Sequence, residues 1–250
     1  MDLEIPSGQD RLAAYLANPP VADASPPTLV LCHGYPSTML GATEINRSYP
    51  ELADRIANEG WRVVTFAFRG CGASTGNFSL RGWLDDIGAV VQYGRSVGST
   101  RGVWLAGFGT GAGLCVAAAA RTPEIAGVAA LAAPADFKDW ASHPKRLLQH
   151  ARDAGAIRSE QYPPSLDQWA RGLHDIRPAD EAAAVAPREL LVIHGSDDES
   201  VPVFDARVLS DSHGAAELRI IPGAAHDLRH DPRAVAILLG WLDRQRHGGG

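Results

Sequence analysis

The sequence predicts an α/β fold, a mostly parallel sheet of about eight strands with helices on both faces and a small helical lid. Two observations carry this expectation. Short apolar runs alternate with segments of helical period from residue 28 to the end, the pattern of a parallel, doubly wound sheet. The run Thr28–Cys32 is apolar almost without a break, as strands buried on both faces are.

Leu3–Ile5 and Leu12–Leu16 flank Ser7-Gly8-Gln9-Asp10 and read as an opening hairpin. A proline-rich linker, Pro19 to Pro27, precedes the strand at 28–32. Tyr49–Glu59 has helical spacing and stops at Gly60, and Trp61–Phe68 is the next strand. Leu80–Val97 is helical, with Leu84, Ile87, Val90 and Val91 on one face. Gly102–Phe108 is a strand and Thr110–Arg121 a helix of small residues. Val128–Ala132, Leu190–His194 and Leu218–Ile221 read as strands, and Pro232 to Arg246 as the last helix. Ala135 to Pro187 holds helical pieces and no strand, which reads as a lid inserted into a single domain spanning residues 1–250. The alanine-rich Ala179–Ala186 within it reads as ordinary helix.

The 250 residues suffice for one sizeable α/β domain. A net charge of −6 gives no electrostatic footprint for nucleic acid or an anionic membrane. The three cysteines, Cys32, Cys71 and Cys115, are too few and odd in number for a disulfide framework, which points to a reducing, cytoplasmic setting. Met1-Asp2-Leu3-Glu4-Ile5 does not open like a signal peptide, and no apolar stretch is long enough to span a bilayer. No Cys-x-x-Cys pair is present, and His226 and His230 form a lone His-x-x-x-His pair with no further ligand at metal spacing, so neither a metal nor another cofactor is expected. Oligomeric state is left open by the sequence.

In an open parallel sheet, ligands bind beyond the carboxyl ends of the strands. The segments found there are His33-Gly34-Tyr35-Pro36, Arg69-Gly70-Cys71-Gly72-Ala73-Ser74, Gly107-Phe108-Gly109-Thr110-Gly111, Gly195 to Pro202, and Gly223-Ala224-Ala225-His226. In this order and spacing they resemble the successive motifs of the α/β-hydrolase superfamily, over about residues 28 to 245. The resemblance implies an esterase-like lineage acting on or binding a small acyl compound. It implies a sharp strand-to-helix corner at Gly107–Gly111, with Gly109 at the nucleophile position. It also implies backbone N–H groups of Tyr35 and Thr110 forming an oxyanion hole, and Asp198 orienting the base His226. Asp197 and Asp136 are rivals for the acid.

The departure is Gly109, where the superfamily pattern has serine. Without a side chain no acyl-enzyme forms there. The expected activity is therefore weak water-mediated hydrolysis, with His226 activating a water in the space left by the missing hydroxyl, or none. A non-catalytic binder using the same pocket and an inactivated Ser→Gly variant of a serine esterase are the alternatives. A remote alternative is a dinucleotide-binding oxidoreductase, because Gly107-x-Gly109-x-x-Ala112 also fits the phosphate-loop fingerprint. His33 and His194 are expected to hydrogen-bond their own loops. Trp140, Leu147, Tyr162 and Trp169 of the lid suit packing on the sheet or an apolar ligand, with packing favoured.

Overall fold

The computed structural model describes residues 1–21, 23–36, 41–44 and 49–248, without the side chains of 43 and 44. Its strands are β1 (Asp2–Ser7), β2 (Asp10–Ala17), β3 (Thr28–Cys32), β4 (Arg62–Phe66), β5 (Val103–Phe108), β6 (Ile125–Leu131), β7 (Glu189–Gly195) and β8 (Glu217–Ile221). They form one eight-stranded sheet in the order β1-β2-β4-β3-β5-β6-β7-β8. The hairpin β1–β2 and the pair β2–β4 are antiparallel, and all other neighbours are parallel.

Alternation along the strands sorts their side chains onto two faces. Leu29 and Leu31 of β3 pack with the helices α2 (Tyr49–Asn58) and α10 (Pro232–His247). Val30 and Cys32 face the other way, toward α3 (Leu80–Ser96), α4 (Thr110–Arg121) and α9 (Val203–His213). The short α1 (Gly41–Glu44) lies between β3 and α2 in sequence. Between β6 and β7 the chain forms α5 (Lys138–Ser142), α6 (Pro144–Asp153), α7 (Leu166–His174) and α8 (Pro178–Ala182). Trp169 of α7 is buried and donates from Nε1 to Phe78 O at 3.1 Å, which pins this segment to the body.

Two expectations need correction. The alanine-rich stretch is helical only to Ala182, after which Ala184 and Val185 donate to Glu181 and Ala182 in four-residue turns. Pro187 disfavours helical backbone at the residue before it, so the α-helix does not propagate to 186. The strand read at 128–132 begins at Ile125 and ends at Leu131, because Ala132 turns away with φ +53°.

Two polar clusters fasten the sheet. Asp86 of α3 is buried. It accepts from Ser7 Oγ at 2.7 Å, from the Arg69 guanidinium at 2.6 Å and from the Arg69 backbone N–H at 3.0 Å. Arg69 also reaches Asp10 at 3.3 Å, so one buried pair ties the opening hairpin to the turn after β4. At the opposite pole, Arg188 donates to five carbonyls. They belong to Ala119, Thr122 and Ile125 around the end of α4, and to Ala184 and Val185.

Candidate active site

Four turns meet at the carboxyl edge of the sheet. The first joins β5 to α4 with no loop between them. Gly109 is its hinge, at φ +52° and ψ −125°, a conformation strained for any residue with a side chain. The corner is also tight. A Cβ on Gly107 would stand 2.7 Å from the Cα and N of Ala112, and one on Gly111 would collide with the carbonyl of His33. Among the described residues no side chain caps α4. Its leading amides, that of Thr110 first, therefore have no intrahelical acceptor and carry the positive end of the helix dipole.

The second turn follows β3 and is held by His33. The His33 Nδ1–H donates to Gly34 O at 2.7 Å, and Nε2 accepts from the Phe68 N–H at 3.0 Å. These contacts fix one neutral tautomer. Burial lowers its pKa to about 4, against the opposing pull of the Gly34 bond, and the Arg229 charge lowers it further. An unfolded histidine takes its proton near pH 6.5, whereas the folded one refuses it until about 4. Between those values the unfolded chain binds more protons, so stability present above pH 6.5 is lost as pH falls toward 4. The expected loss from His33 alone is about 3 kcal/mol. Urea unfolding across this pH range should show a slope that His33→Asn flattens. An unchanged slope in that variant would assign the acid sensitivity elsewhere.

After this turn comes Tyr35. Its ring packs edge-on to Phe78 and Trp140 and stacks on His150 at 5.5 Å. Its hydroxyl is buried and has no hydrogen-bond partner among the described residues. Among the described residues, the backbone N–H groups of Tyr35 and Thr110 donate to no protein acceptor.

The third turn follows β7 and carries Asp198, whose side chain is fully buried. Its Oδ1 accepts the N–H groups of Ser200 and Val201, both at 2.8 Å. Its Oδ2 accepts Nδ1–H of His226 at 2.8 Å, and Nε2 of His194 lies 3.3 Å away. Burial alone would raise this carboxyl. The hydrogen bonds from His194, His226 and Val201 outweigh it and hold the group well below the usual carboxylate range.

The fourth turn, after β8, delivers His226, which is part-exposed. With Nδ1–H bonded to Asp198, Nε2 carries the lone pair and has no partner among the described residues. A Cβ built on Gly109 would lie 3.2 Å from that Nε2 and 3.6 Å from Cε1. The place where a residue-109 side chain would begin thus faces the imidazole. Tyr35, Thr110 and His226 line one cleft of about 520 Å³ with Pro134, Phe137 and Trp140. This volume suits a small organic ligand. A cavity of about 540 Å³ between the start of α3 and α7 is lined by Ser79, Arg81 and Arg171, and holds none of these groups.

The structure therefore brings Gly109, Asp198, His226, Tyr35 and Thr110 together. Of the rivals, Asp197 takes the Ser196 hydroxyl at 2.6 Å, and Asp136 pairs with Lys138 at 2.7 Å. Cys71 is buried, and burial pushes its thiol up to about 12. Phe78, Trp83 and Trp169 are core residues, while Trp140 reaches the cleft wall. Sequence reasoning gave His194 only a loop bond. That bond exists, to Val201 O at 3.0 Å, but the same nitrogen also approaches Asp198. The four-residue spacing of His194 and Asp198 across a tight turn was the available signal. Among the described residues no group of three or more His, Cys, Asp or Glu could hold a metal ion. No helix there is long and apolar enough to cross a membrane.

Comparison with known proteins gives a consistent picture. The family model described as serine aminopeptidase, S33, matches residues 25–163. A monoacylglycerol lipase of Mycolicibacterium smegmatis is 24% identical over 246 residues, covering 84% of each chain. Among solved structures, Est1E from Butyrivibrio proteoclasticus with ferulic acid bound is 21% identical with a TM-score of 0.76, covering 98% of this chain and 99% of that one. The proline iminopeptidase of Mycobacterium smegmatis is 17% identical with a TM-score of 0.70, covering 100% of both chains.

Proposed function

This chain belongs to the serine aminopeptidase S33 family and has the α/β-hydrolase fold, and from that premise we propose that its cleft takes a carboxylic ester, thioester or related acyl compound. In this reading Gly109 occupies the nucleophile position, Asp198 orients and charge-stabilises His226, and the amides of Tyr35 and Thr110 hold the acyl oxygen. The helices α5 to α8 serve as a lid over the cleft. The observation that carries the proposal is the 3.2 Å between the Cβ place of Gly109 and Nε2 of His226. The lipase relative and the ferulic acid in Est1E support an acyl ligand.

Glycine offers no oxygen for a covalent intermediate. Hydrolysis then proceeds only by direct attack of water with His226 as general base, and is slow except on reactive esters. General-base assistance contributes about 10²–10⁴-fold where it operates. Short-chain p-nitrophenyl esters should therefore be cleaved slowly but above buffer, and His226→Ala should remove that excess. Equal rates for protein, His226→Ala and buffer, with saturation-transfer signals from an ester analogue, would make the protein a binder instead. Neither rate nor binding would remove the acyl reading altogether.

A further inference from the structure

Among the described residues, the site holds a general base and free amides but no nucleophilic side chain at position 109. Water attack needs a third molecule held between Nε2 and the acyl carbon. Apart from the chain neighbours of Gly109, the nearest heavy atoms to the Cβ place are Nε2, Cε1 and the Cα of Gly34. Of these three only Nε2 is polar, so what faces the place beside Gly109 is first of all a base nitrogen. The neighbouring Thr110 amide is committed to the acyl oxygen. Breaking a C–H bond needs no third molecule. It needs a base nitrogen facing it and amides where the negative charge arrives.

We infer that this cleft catalyses proton transfer at the carbon next to the carbonyl of an enolisable thioester or ketone. The inference rests on the acyl-site reading above and changes the reaction performed there. The Cα–H bond breaks and its proton goes to Nε2 of His226. The electron pair of that bond forms the C=C of an enolate, and the carbonyl π pair moves onto oxygen. The amides of Tyr35 and Thr110 hold that oxygen. The imidazolium stays paired with Asp198, exchanges its Nε2 hydrogen with solvent through its exposed edge, and returns a solvent-derived proton to the same carbon, so the net change is hydrogen exchange at that carbon and no oxidant or reductant is consumed. A serine at 109 would stand between Nε2 and the cleft and meet the base first. Glycine lets the ring nitrogen meet the substrate carbon directly.

The test uses the full chain in D₂O with the S-ethyl thioesters of phenylacetate and butyrate, followed by ¹H NMR. One spectrum reads both reactions: loss of the α-CH signal reports enolisation, and free carboxylate reports hydrolysis. The expected result is α-deuteration about 10²-fold or more above buffer, abolished in His226→Ala and replaced by thioester cleavage in Gly109→Ser. Cleavage with no deuterium in the recovered thioester would overturn the inference and leave the acyl-hydrolase reading standing. Neither deuteration nor cleavage, for both probes, would overturn the inference too. Saturation-transfer signals then decide whether the acyl pocket survives.

Discussion

Gly109→Ser is expected to convert the protein into a serine esterase, raising turnover of p-nitrophenyl acetate or butyrate by about 10³-fold or more. The surroundings permit the side chain. The new Cβ would meet the imidazole of His226 at 3.2 Å and the Gly34 Cα at 3.7 Å. The first is close enough that the ring must give by a few tenths of an ångström. The backbone at φ +52° stays strained for serine, at a cost of about 1–3 kcal/mol. The variant should therefore be less stable and more active at once. Its hydroxyl would sit beside a base already oriented by Asp198, next to amides already free. A fluorophosphonate should label the variant and leave the parent untouched. A folded Gly109→Ser protein that neither cleaves esters nor takes the label would show that the cleft does not work as an acyl-transfer site.

Asp198→Asn, made on top of Gly109→Ser, should lower that gained turnover by about 10⁴-fold. The carboxylate accepts three hydrogen bonds, from two backbone N–H groups and the His226 imidazole, and Nε2 of His194 lies 3.3 Å away. An amide can accept at one atom only and presents N–H₂ at the other. If its oxygen takes the Ser200 and Val201 amides, its NH₂ confronts Nδ1 of His226. The ring must then change tautomer, which puts a hydrogen on Nε2 where a lone pair is needed. Losing a buried, multiply bonded charge should also destabilise the fold by about 3–5 kcal/mol. Steady-state rates together with urea denaturation separate the two effects. A rate that falls no more than the folded fraction would leave Asp198 a structural residue only.

The sequence showed the buried strands well, because parallel strands covered on both faces leave long apolar runs such as Thr28–Cys32. It showed the opening hairpin but not its partner. Nothing in Asp10–Ala17 says that it pairs antiparallel with β4 and not with β3. Helix α9 escaped notice because only Ala206, Leu209 and His213 of its residues are buried, too sparse a stripe to read as a period. The five segments after the strands were legible as motifs, since a glycine or an acid at a strand end is a position-specific feature. What they build was less legible. The sharing of Asp198 Oδ2 between His226 and His194 depends on how tightly residues 195–201 turn, and chain spacing alone does not set that. The helix boundary near Ala182 was missed because alanine propensity outlasts the helix it favours.

Arg188 shows how far behind the cleft its precision originates. Its guanidinium gathers the carbonyls of Ala119, Thr122 and Ile125, 2.9 to 3.1 Å away, at the end of the very helix whose first amide faces the cleft. That helix is wedged at its front by the contact between Gly111 and His33 and moored at its rear by one cation. It behaves as a strut with both feet fixed. Loosening the rear mooring would let the strut rock, and the front amide would wander with it. The helix that presents Thr110 to the cleft is thus tied at its far end by an arginine that does not line the cleft.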